Sequence, residues 1–132
     1  RRKMSNYNFV KFESRNVKTE DRITVTKSQS IGLPTKFYTD NNIVGYKYAV
    51  LYYDKETNAI GINFTNDENE KNGFSIVKSE KYGGNIVSRS FFKAHNIDTE
   101  KYHNRYNWRI YEQENAGKLY VIELDNPKLI NN

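Results

Sequence analysis

The feature that most limits what this chain can fold into is a repeated order of segments. Ile23-Thr24-Val25-Thr26-Lys27-Ser28 and Phe74-Ser75-Ile76-Val77-Lys78-Ser79 both alternate apolar and polar residues and end on Lys-Ser. A short apolar step follows each, Ile31-Gly32-Leu33-Pro34 in one half and Asn85-Ile86-Val87-Ser88 in the other. Then come paired aromatics, Phe37-Tyr38 and Phe91-Phe92, and the dipeptides Asn42-Ile43 and Asn96-Ile97. Leu33, Phe37 and Ile43 map onto Val87, Phe91 and Ile97 at one constant offset. After a short insertion in the second half, Tyr48, Val50, Tyr52 and Tyr53 align with Tyr106, Trp108, Ile110 and Tyr111. Each half closes on an alternating strand, 60–64 and 119–124, after the turn-forming segments 54–58 and 112–117. Repetition at this spacing points to one supersecondary unit used twice.

Each unit reads as strand, turn, short strand, short helix and β-hairpin. Period-two alternation marks the strands. The helices are expected at Thr35 to Asn42, with Pro34 suited to the first turn, and at Ser88 to Asn96, with Ser88 as N-cap. The expected fold class is all-β to α+β: two tandem strand–turn–short helix–hairpin repeats forming one barrel-like core. Repeat one covers about 22–65 and repeat two about 73–125, with a polar linker at 65–72 that is too short to separate two domains. The whole chain, 1–132, therefore reads as a single domain. Phe9-Val10-Lys11-Phe12 is expected to add a strand at an edge, and Asn126 to Asn132 to be a loose tail.

Composition narrows function mostly by exclusion. The chain has no cysteine, which removes disulfides, thiolate zinc sites and a cysteine nucleophile. No stretch approaches the roughly 18 to 20 apolar residues of a membrane span, so a cytoplasmic protein without membrane association is the expectation. Met4 reads as a natural start. Without Arg1, Arg2 and Lys3 the formal charge of +5 falls to about +2, too little to call for nucleic acid on bulk charge alone. No phosphate loop, dinucleotide fingerprint, nucleophile elbow or metal motif is present, so no cofactor, no metal and no enzymatic activity are expected. His95 and His103 are the only histidines, and His95 suits the end of a helix.

At Gly32-Leu33-Pro34, followed by a short helix and a hairpin, the repeated order resembles the swapped-hairpin DNA-binding domains of the AbrB and MraZ type. MraZ-type chains carry two such units. The resemblance covers roughly Ile23 to Leu124 and implies a DNA-binding regulator. It implies contacts from the basic hairpin turns, Lys27, Ser28 and Gln29 in one half and Lys78, Ser79 and Lys81 in the other. Lys36, Arg89 and Lys93 on the helices would join them, with Gln29 or Arg89 reaching base edges.

A second reading comes from the residues themselves. Alternation puts Tyr48, Val50 and Tyr52 on one face and Lys47, Ala49, Leu51 and Tyr53 on the other. On the matching hairpin, Tyr106, Trp108 and Ile110 oppose Arg105, Asn107, Arg109 and Tyr111. The Tyr–Trp face is expected to be core. The face bearing Arg105 and Arg109 is the expected ligand surface, suited to a single-strand binder. A protein-interaction module of phage or mobile-element origin, using tyrosines as anchors, is the reading from another class. Homo-oligomerisation stays open.

Overall fold

The computed structural model describes residues 20–79 and 83–129, together with Tyr7 and Phe9. Lys81 and most of the strand expected at Phe9–Phe12 lie outside the described residues, as do positions 130–132. Among the described residues nine strands and three short helices follow in the order β1 (Ile23–Val25), β2 (Ser30–Leu33), α1 (Thr35–Asp40), β3 (Tyr48–Asp54), β4 (Ala59–Thr65), β5 (Gly73–Ser79), β6 (Gly83–Val87), α2 (Arg89–Ala94), α3 (Thr99–Tyr102), β7 (Asn104–Tyr106), β8 (Arg109–Gln113) and β9 (Gly117–Glu123). The strands form one sheet in the order β7-β1-β2-β6-β5-β3-β4-β9-β8, curled into a half-barrel. Its neighbouring strands are antiparallel. None of the described helices is long and apolar enough to cross a membrane.

The curl follows from covalent geometry. β7 and β8 are the two ends of the sheet, yet only Asn107 and Trp108 separate them in the chain. One side of the curled sheet gathers Ile23, Val25, Ile31, Leu33, Ile60, Ile62, Ile86, Tyr106 and Ile122, all buried. Burying each such side chain contributes about 1.5–3 kcal/mol before entropy is counted. Phe37 sits at the centre, edge-on to Trp108 at 5.0 Å and to Tyr120 at 5.3 Å.

The helices are too short to persist alone; buried Phe37 and Tyr38 pin α1, and Phe91 and Phe92 pin α2. They end alike. Asn42 (φ 58°) and Asn96 (φ 53°) take the left-handed conformation that asparagine tolerates best after glycine. Ile43 and Ile97 then turn back into the core, their amides donating to the carbonyls of Tyr38 and Phe92, both at 2.9 Å. Gln29 in the β1–β2 turn (φ 66°) and Gly83 at the start of β6 (φ 86°) are also left-handed. A Cβ on Gly83 would lie 2.2 Å from the Leu33 carbonyl oxygen, so only glycine fits there.

Several expectations need correction. Leu33 is buried but Val87 is 54% exposed, so the constant offset fails inside the strand. Directly opposed residues of an antiparallel pair share a face, and the register sets Ile31 against Ile86. The two strands are therefore one residue out of phase with the helices they precede. Ser88 stands at the head of α2 but does not cap it with its side chain; its hydroxyl, buried, donates to the Ile86 carbonyl. On β3 the core side carries Ala49, with Leu51 and Tyr53 packed against the core, and Tyr48, Val50 and Tyr52 lie on the opposite side, where Val50 is nonetheless buried. The cause is β4: Ala49, Leu51 and Tyr53 lie opposite Phe64, Ile62 and Ile60. The tail is anchored as far as Leu129, which is buried, and the Pro127 carbonyl accepts from the Asn107 amide at 2.8 Å.

Candidate nucleic-acid interface

The hairpin strand expected over Arg105–Tyr111 is two strands. β7 pairs with β1, setting Thr24 opposite Arg105, while β8 pairs with β9, setting Arg109 opposite Val121. Between them the ladder is replaced by individual bonds. The Trp108 indole Nε1 donates to the Asp21 carbonyl at 2.9 Å, and the Asn107 amide bonds to Pro127. Arg105 and Arg109 thus lie on opposite ends of the sheet and do not share a ligand face, because the bend at Asn107-Trp108 cancels the alternation that would have aligned them.

Arg105 joins a basic groove along β1 and β7. Its volume is about 460 Å³, and its charged and titratable lining is Arg22, Lys27, His103 and Arg105, with Thr24, Thr26 and Asn104 between them. A second recess of about 270 Å³ shares Arg22, Asn104 and Arg105 and continues past Asn107 to Asn126 and Lys128. Among the described residues no carboxylate lines either recess. Alternation explains the lining: Arg22 and Thr24 fall on the outer face of β1, since Ile23 and Val25 are committed to the core.

Glu20 holds Arg22 through contacts of 2.7 Å to both of its carboxylate oxygens. This hydrogen-bonded pairing, offset in part by burial and reinforced by the field of Arg105, lowers the Glu20 carboxyl to about 2. Arg22 is raised in turn by the same bond to Glu20. The pair is partly exposed, so it contributes little to the stability of the fold.

The turn beside the groove brings together more of the expected residues. Ser28 Oγ lies 3.0 Å from Thr26 Oγ1, and the Lys27 carbonyl accepts from Thr99 Oγ1 at 3.1 Å, which docks α3 on the turn. The Gln29 carbonyl accepts from the Ser88 amide at 3.3 Å, so exposed Arg89 follows directly from a residue bonded to this turn. Lys27, Ser28, Gln29, Arg89 and Arg105 therefore belong to one region.

Lys36, Lys78 and Arg109 are held by partners elsewhere. Lys36 forms an ion pair with Asp40 four residues along α1. Lys78 Nζ donates to the Val44 carbonyl at 2.8 Å. Lys93 is exposed on α2, and Arg109 pairs with Glu123 at 3.1 Å. His95 packs its ring against Tyr53 at 4.9 Å and Phe91 at 5.0 Å, a packing role. Among the described residues no group of three metal-ligating side chains forms.

Arg22, His103 and Lys128 are the groove residues that sequence reasoning missed. Arg22 immediately precedes the first strand, His103 lies in the second-half insertion, and Lys128 lies in the tail. The available signal was the alternation Arg22-x-Thr24-x-Thr26, which places a cation on the outer face of the strand. Comparison of the chain with protein-family models, with characterised proteins and with solved structures finds no match.

Proposed function

We propose that this protein is a nucleic-acid-binding module, a DNA-binding regulator, that grips the phosphate backbone along the β1–β7 groove. The observation that carries the reading is the convergence of Arg22, Lys27, Arg105 and Lys128 on two adjoining recesses with no carboxylate in their lining. Arginine offers phosphate a planar fork of donors and lysine a point charge. The Thr24 hydroxyl and the Asn104 and Asn107 amides add neutral donors of the kind that fix register on a backbone. Among the described residues the lining has no tyrosine, phenylalanine or tryptophan, and its one aromatic ring is the His103 imidazole, which favours a duplex over a single strand.

We further propose that the fold is two interleaved repeats, as the AbrB-type resemblance implies. Its support is local. Gln29 and Gly83 are left-handed, each beside the other half's helix entry, and both helices end in a left-handed asparagine followed by a buried isoleucine. In this arrangement one hairpin turn and the opposite helix start make a common binding end.

The test is a titration with mixed-sequence duplex and single-stranded DNA at about 50 and 200 mM salt. Four phosphate contacts would weaken duplex binding roughly hundredfold across that range. Absence of binding at the lower salt would refute the reading, and tighter binding of single strands would refute the preference for a duplex.

A further inference from the structure

On the side of the sheet away from the core, the strands β3, β4, β9 and β8 align their residues in rows. Directly opposed residues of antiparallel strands share a face, and Ile60 and Ile122 are committed to the core. One outer row therefore runs Tyr52, Gly61, Val121, Arg109, and the next runs Asp54, Ala59, Glu123.

A groove of about 380 Å³ lies over these two rows, in the size range of small-molecule sites. Its floor is low because Gly61 has no side chain and Ala59 only a methyl group, while Tyr52 on β3 and Tyr111 on β8 stand on the flanking strands. A side chain at 61 would begin to fill it, since a Cβ there would lie 3.1 Å from Leu119 Cδ1. Ala59 and Leu119 are buried, yet neither belongs to the core cluster. They make a second, smaller apolar patch on the outer face.

The charges of the groove are unbalanced. Asp54 and Glu123 flank Ala59 on the strands to either side of it, about 10 Å apart at the backbone from two strand spacings. The one cation of the lining among the described residues, Arg109, bonds Glu123 at 3.1 Å. One negative charge is left over, in a chain whose formal charge is +5. The groove shares no lining residue with the two basic recesses.

We propose that this groove binds a small organic cation of the arylalkylamine class. The ring of the ligand lies over Gly61 and Val121 between the two tyrosines, and its ammonium sits over Ala59 between Asp54 and Glu123. The apolar floor receives the flat body, the tyrosine faces attract both the ring and the charge, and one positive charge matches the balance of the lining. The site stands whether or not the β1–β7 groove binds DNA, because the two use different residues.

The test is an amide NMR titration of the full chain with phenethylamine and, separately, with 3-phenylpropionate, which keeps the ring and reverses the charge. At roughly 0.5 kcal/mol per non-hydrogen atom, phenethylamine should bind with a Kd of about 1 mM, shifting the amides of Asp54, Gly61 and Val121. The propionate should bind at least about tenfold more weakly. Asp54→Asn should weaken the amine about fivefold, the worth of one partly exposed charge pair. The asparagine keeps an oxygen for the Glu56 amide that Asp54 now bonds at 3.0 Å, so the turn is preserved. Absence of saturable shifts at the groove up to about 10 mM amine, or equal binding of the two probes, overturns the proposal. So does an Asp54→Asn variant with an otherwise unchanged spectrum that binds the amine as tightly as the unaltered chain.

Discussion

Strand β3 and the broken pair β7–β8 carry the residues that the sequence aligns, Tyr48 to Tyr53 against Tyr106 to Tyr111, and they do different work. β3 runs unbroken for seven residues, pairing with β4 on one side and β5 on the other. Its inward residue Ala49 is fully buried between Phe64 and Phe74 of the flanking strands. Across the molecule the ladder stops at Asn107-Trp108, and an indole, a proline carbonyl and polar side chains fill the place of strand bonds. A continuous strand spends its backbone groups on neighbouring strands, whereas at the break the backbone and the Trp108 indole are satisfied by distant groups. The insertion that carries α3 and His103 lies at this break.

The contrast can be broken from the closed side first. Ala49→Asp buries an unpaired carboxylate between two strands and should cost about 4 kcal/mol or more, whereas Arg105→Asp at the open seam should move stability by no more than about 0.5 kcal/mol. Urea denaturation of the two variants reads the difference, and similar losses would mean that the open seam is as structural as the closed one.

Trp108→Ala comes next. It removes ring contacts to Phe37 and Tyr120 and the bond to Asp21. A loss of about 3 kcal/mol is expected, together with faster exchange of the β1 and β7 amides and unchanged exchange in β3 and β5. Uniform loosening of both regions would argue against a local plug.

The smallest effect concerns Glu20. Its carboxyl is depressed in the folded state, so its contribution is present in full above the ordinary value of 4.5 and is lost as pH falls through about 2. Glu20→Gln should flatten the acid limb of the stability curve in that window. It should also tighten duplex binding two- to fivefold, since Arg22 is then free for phosphate. A variant that binds more weakly would show that Glu20 positions Arg22 productively.

Much of the architecture was legible in the residues. Alternation marked the strands, and α1 and α2 fall within the spans expected from Pro34, Ser88 and the asparagines that follow them, while α3 was not expected. Tyr106 is buried and Trp108 packs on the core, as their face was expected to, but the orientation of the β3 tyrosines was not legible. A tyrosine packs by its ring and stays wet by its hydroxyl, so Tyr48 and Tyr52 fit an outer face as well as a core. Neighbouring strands decided the matter, through Ile60, Ile62 and Phe64 opposite β3. The break at Asn107-Trp108 was hidden for a related reason: its partners, Asp21 and Pro127, are distant in sequence and belong to no repeat. The groove inherited that obscurity, because Arg22 and Lys128 come to it through those same contacts.

The most direct test of the central claim is a pair of charge reversals, Arg105→Glu at the open seam and Lys36→Glu on α1, each titrated with the same duplex at about 50 mM salt. The groove account predicts at least about tenfold weaker binding for the first and less than twofold change for the second. Equal losses, or a larger loss from Lys36→Glu, would contradict it.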